Sequence, residues 1–200
     1  MGWLPSLDDV EILRADVQSF VSAELVAVRY VALDFQRFDV APDHRGPRQI
    51  TDLIEWAAPG WAHASGDGID CGVELDLSFG RTLAVTWESP GRHESVDVFG
   101  GKLVGSVFDE EADVAVWDVT SGSRWSQFIG DVITSIELHY IPWAPGDGYW
   151  CTRVTIGFES ADVVLLLGDF DEVGLLEPSA NNVAVLFSPK SLPEWERRLT

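Results

Sequence analysis

The chain has 200 residues, with 33 Asp and Glu against 13 Lys and Arg, for a formal net charge of −20. A field of that sign repels nucleic-acid backbones and anionic lipid and attracts basic proteins, so nucleic-acid and membrane partners are excluded. At 46% apolar with nine Trp and ten Phe, the sequence is far too rich in core formers to stay disordered.

Ser6 or Asp8 begins an expected helix over 6–22, with acids at its positive end and an apolar stripe of Val10, Leu13, Val17, Phe20 and Val21. A β-branched and aromatic stretch over 24–35 reads as a strand covered on both faces. Residues 36–49 then form an expected loop with Arg37, His44, Arg45 and Arg48, the one locally basic patch. Residues 50–56 read as a short strand or helix, and 59–68 as a second loop, carrying Trp61 and His63.

From Val73 the alternation is that of a half-buried strand, with Val73, Leu75, Leu77 and Phe79 inward and Glu74 and Asp76 outward. Gly80-Arg81 turns it into a hairpin with 82–88, and Pro90-Gly91 opens the connection to Val96–Phe99. A strand is expected at 114–119. A short helix follows near 123–129, capped by Ser121 or Ser123 and stopped by Gly130. The next strand places Val132, Thr134, Ile136, Leu138 and Tyr140 on one face, and further strands fall at 152–158, 163–167 and 183–187. A short helix closes the chain at 193–199.

Turn signals at this spacing indicate an antiparallel meander. The expected fold is one α+β domain over 1–200: the N-terminal helix, a β-rich body over 24–188 curled into a half-barrel or split into two layers, and the short helices. The hairpins at 73–87 and 152–167 look alike, as any two hairpins of a β domain would.

Chemistry-bearing patterns are few. No Gly-x-Ser-x-Gly elbow, Walker loop or dinucleotide fingerprint occurs, and the four His have no metal-ligand spacing, so no catalytic residue, metal or cofactor is assigned. Acidic clusters at Asp109, Glu110, Glu111 and Asp113 and over 169–172 lack the calcium-loop pattern and read as solvated turns. Trp beside carboxylates is compatible with glycan chemistry but, with 33 acids, specifies none. Cys71 and Cys151 read as buried free thiols, which suits a cytoplasmic chain, as does an N-terminus without a basic leader. Eleven Arg against two Lys points to a GC-rich bacterial genome.

Trp61, Trp143 and Trp150 fall in or beside loops, where large apolar rings suit a protein-binding patch. With the 109–113 acids they are the candidate residues for partner binding. This small, acidic, Trp-rich α+β outline resembles the immunity proteins that neutralise bacterial toxins; the likeness carries no motif and transfers no residue. The function expected is non-enzymatic: an acidic protein-binding domain that covers a basic partner. A structural subunit of a homo-oligomer and a small enzyme or ligand-binding barrel are the alternatives.

Overall fold

The computed structural model describes residues 3–89, 94–122, 124–144, 146–187, 189 and 192–197. The Pro90-Gly91 turn, His93, Ser123, Lys190 and the end of the 193–199 helix lie outside the described residues.

In chain order the elements are β1 (Trp3–Leu4), α1 (Leu7–Gln18), β2 (Leu25–Leu33), α2 (Arg37–Val40), β3 (Arg48–Gln49), α3 (Leu53–Ala57) and β4 (Asp67–Ile69). Then come β5 (Gly72–Leu77), β6 (Arg81–Glu88), β7 (Ser95–Gly100), β8 (Val114–Asp118) and β9 (Ile133–Pro142). The chain ends with β10 (Tyr149–Phe158), β11 (Asp162–Leu167), β12 (Asp169–Phe170), β13 (Leu176–Glu177), β14 (Val183–Phe187) and α4 (Glu194–Arg197).

The meander splits into two layers. One sheet runs β3-β8-β2-β5-β6-β7, antiparallel except where β3 joins β8. The other contains β10-β11-β14-β4, with β9 on the far side of β10 and β1 pairing its start. Their inner faces meet in one core: Val28, Tyr30, Val73 and Val85 from the first, Ile136, Val154, Ile156, Leu165 and Val185 from the second. Each outer face carries a smaller cluster, one under the 101–113 connection and one under the β12–β13 hairpin and α4. Among the described residues no helix is long and apolar enough to cross a membrane.

Ser6 caps α1, its side chain accepting from the Asp9 amide at 3.2 Å. The helix ends at Gln18, short of the expected 22, because Ser22 takes φ 71° and donates to the Ile133 carbonyl, turning the chain into β2. α1 covers the free edge of β9: Gln18 and Arg14 donate to the carbonyls of Ile136 and Leu138 at 2.8 and 3.2 Å. An edge with occupied carbonyls cannot template pairing with another chain.

Four local expectations change. The helix near 123–129 is a series of turns, although Trp125 and Phe128 are buried as its apolar positions and Gly130 has the positive φ of a cap. Phe79 sits in the left-handed region at the hairpin turn and is almost fully exposed. Thr134 faces solvent and Ile133 the core, because a register shift between Gly157 and Phe158 displaces the alternation by one. Glu74 is buried rather than solvated. It accepts from Arg29 at 3.0 Å and from the Leu103 amide at 2.7 Å, pinning the 101–113 connection to the sheet.

Candidate functional site

The expected basic patch does not exist. Arg48 at the parallel edge strand donates to both oxygens of Asp34 at 2.7 and 2.8 Å and to both of Glu55 at 2.9 and 2.8 Å. Those hydrogen bonds, to Asp34 first and to Glu55 second, hold its guanidinium far above the ordinary arginine pKa. Arg37 is buried and donates to the Asp113 carboxylate and the His44 carbonyl. Arg45 alone of the three is exposed. The sequence shows where these cations lie but not that acids 14 and 76 residues away neutralise two of them.

What the same segments do expose is apolar. Phe35, Phe38, Leu53 and Ile54 are 78%, 72%, 84% and 83% accessible, with Leu33 and Val40 beside them in sequence and also exposed. The Asp34–Arg48–Glu55 network ties the end of β2 to α3, so the segments that carry these side chains are held next to each other. Asp52 caps α3, accepting from the Ile54 amide at 2.7 Å, and Trp56 anchors it inward through its indole N–H to the Ile50 carbonyl at 3.1 Å. Ordinary monomers scatter their exposed apolar side chains singly, and a group of this kind marks an interaction surface.

Acids surround it. Asp39, Asp43 and Asp52 are exposed on the same segments. The 109–113 turn is fastened alongside by the Arg37–Asp113 ion pair, by the Asp34 amide donating to the Asp113 carbonyl at 3.1 Å, and by Gly46. Gly46 has φ 78° and lies where a Cβ would collide with the Glu110 carbonyl, so only glycine lets the two loops close. Asp109, Glu110, Glu111 and Asp113 are all exposed beside the apolar group. Asp109 also accepts from the Glu111 amide at 2.9 Å, as a turn-stabilising aspartate does. In the other acidic run, Asp171 likewise accepts from the amides of Val173 and Leu175 at 3.0 and 2.8 Å.

A cleft of about 290 Å³ opens beside this face, sharing Leu33, Phe35 and Gln36 with it. Trp61 and Trp117 wall the cleft, with Asp70, Asp169 and Asn182 among its polar groups. Burial, and secondarily the charge of Asp169, pushes the Asp70 carboxyl up; the Leu33 amide and Asn182 oppose this. The His63 ring stacks on Phe170, centroids 4.8 Å apart.

Beneath the cleft, Trp125 Nε1 donates to the Tyr30 hydroxyl at 2.6 Å, which donates to Asp67 at 2.7 Å, and Arg124 pairs with the same carboxylate. Burial drives the Tyr30 hydroxyl well up, so it stays a donor. Here too the sequence reading changes. The 59–68 stretch expected as a loop ends in an edge strand whose Asp67 is buried.

Trp61 is half-buried, edge to face with Tyr30, Trp56 and Trp117 at 5.0, 6.1 and 5.7 Å, so it supports the cleft instead of projecting from it. Trp143 and Trp150 pack on each other, centroids 5.2 Å apart, and Trp150 lines a different cavity. The structure thus brings the acidic candidates to the apolar face and Trp61 to its adjoining cleft, while Trp143 and Trp150 form a separate pair. The residues missed are Phe35, Phe38, Leu53 and Ile54. The available signal is Phe35, Phe38 and Val40 set among polar residues just before Pro42, and the Leu53-Ile54 pair between Asp52 and Glu55.

Neither cysteine is an activated nucleophile. Burial pushes both the Cys71 and Cys151 thiols up to about 12, so each stays protonated. Among the described residues no group of three or more His, Cys, Asp or Glu is placed to hold a metal ion. Comparison with known proteins adds no identity: no family model, no curated protein and no solved structure matches the chain.

Proposed function

We propose that this chain is a non-enzymatic protein-binding domain of the bacterial cytoplasm that covers a basic partner, in the manner of an immunity protein. One observation carries this reading: exposed Phe35, Phe38, Leu53 and Ile54 sit among exposed acids, while Arg37 and Arg48 are spent on internal pairs. An apolar centre supplies affinity on desolvation, and the acidic rim steers a basic surface onto it and rejects acidic ones. Two buried, protonated thiols suit a reducing compartment.

The same rim argues against a second copy as the occupant, since a two-fold contact would set acid against acid at −20 per chain. The cleft is compatible with the alternative of a small ligand site, and its lining contains neither of the two cysteines.

The experiment is a titration against the basic product of a neighbouring gene. Sub-micromolar binding that weakens as salt rises from 50 to 500 mM supports the reading. Binding indifferent to salt, or a dimer in light scattering with no basic partner engaged, contradicts it.

A further inference from the structure

A second cavity, away from the apolar face, has a chemistry of its own. It measures about 400 Å³ and is lined by Trp150 and Thr152 of β10, Leu167 at the end of β11, the 178–180 turn, Glu94, and Trp195 and Glu196 of α4. That volume falls within the range of small-molecule sites, roughly 300–1,000 Å³.

Its construction starts in the strand. β10 shifts register between Cys151 and Arg153, leaving Thr152 as the extra residue. Such a bulge re-aims side chains. Here Thr152 Oγ1 and Arg153 Nη1 both donate to Glu196 Oε1, at 2.8 and 2.9 Å. Glu196 is 0% exposed, yet its other oxygen, Oε2, has no partner among the described residues. Next to it in sequence, the buried indole N–H of Trp195 has no acceptor either. Idle buried polar atoms are costly, and each calls for an explanation.

The two idle atoms are of opposite polarity, and that selects the ligand. An ammonium or guanidinium would satisfy Glu196 and leave the Trp195 N–H idle; a carboxylate or phosphate would do the reverse and meet Glu94 and Glu196 as like charges. A hydroxyl donates to one and accepts from the other. The two indoles, Trp150 and Trp195, with Leu167 and Pro178, provide apolar surface for the faces of a ring. We propose that this cavity binds a neutral hydroxylated ring of monosaccharide size, and that α4 yields enough for the ring's hydroxyls to reach Glu196 and the Trp195 N–H, which the unliganded fold closes to solvent. Glu94 and Ser179 are placed for its remaining hydroxyls.

The test is a titration of ¹⁵N-labelled protein with the methyl pyranosides of glucose, galactose and mannose, following the indole N–H signals. Butylamine and acetate serve as cation and anion controls. At least one pyranoside should shift the Trp195 signal saturably while Trp117, in the other cleft, stays still. Trp195→Phe, which keeps the apolar wall and removes the donor, should weaken that binding about fivefold or more. Ala180→Phe, a filling substitution at an exposed lining position, should weaken it as much without touching α4. Absence of a saturable shift with all three sugars, saturation by butylamine or acetate alone, or undiminished binding in both variants overturns the proposal.

Discussion

Replacing Arg48 with Met tests whether the arginines of this acidic chain are internal fasteners. The guanidinium makes four hydrogen bonds of 2.7–2.9 Å to two carboxylates, and their side chains are only 2% and 8% exposed. Methionine keeps the apolar stem and strands both acids. Removing one partner of a buried pair costs ~3–5 kcal/mol, far above the ~0–1 kcal/mol of a surface pair. At this chain length 1 kcal/mol is about 2–4 °C of Tm, so Arg48→Met should lower Tm by roughly 6–20 °C. Urea denaturation at pH 7.5 measures the same loss as free energy. The triple variant Arg48→Met/Asp34→Asn/Glu55→Gln, with no stranded charge, should regain more than half of it. Glu11→Gln, at the exposed Arg14–Glu11 pair, should cost less than ~0.5 kcal/mol. A loss below ~1 kcal/mol for Arg48→Met would mean that water reaches the two carboxylates, and the fastening argument would fail.

Other residues give separate checks. Tyr30→Phe removes the hydroxyl between Trp125 and Asp67 and should cost about 2–4 kcal/mol in urea titrations, because a donor and a carboxylate oxygen are left idle. Asp70→Asn should stabilise the protein at neutral pH and lose that advantage in acid. The folded carboxyl is pushed up, so wild-type stability falls as pH rises through its folded pKa, and the amide has no such loss; denaturation midpoints from pH 4 to 8 decide it. Cys71 and Cys151 should resist a disulfide reagent at pH 8 in the native protein and react on unfolding. Phe35→Ser/Phe38→Ser should leave stability within about 1 kcal/mol, since both rings are already in water, but weaken partner binding more than tenfold.

Local periodicity carried much of the fold into view. The β5–β6 and β10–β11 hairpins, the apolar stripe of α1 and its Ser6 cap are short-range patterns, and the α+β class with two layers among its expected forms followed from them. The errors share a cause, which is distance along the chain. Glu74 alternates outward as a strand residue should, yet Leu103, 29 residues on, brings a loop to cover it. Arg37 and Arg48 looked basic because Asp113 and Asp34 reach them only in the folded chain. Thr134 is misplaced by a bulge that no period-two rule contains. At the site, the acids of 109–113 were legible as exposed turn residues. Their apolar neighbours were not, since an apolar loop residue reads as a future core residue until the fold fails to cover it.

Hydrogen exchange on the complex with the basic neighbouring-gene product is the most direct measurement of the proposed binding face. Protection on binding should concentrate in 33–43, 52–55 and 109–113, and disappear in Phe35→Ser/Phe38→Ser. Protection centred on Trp143 and Trp150, or on the α4 cavity, with 33–55 unchanged, would contradict it.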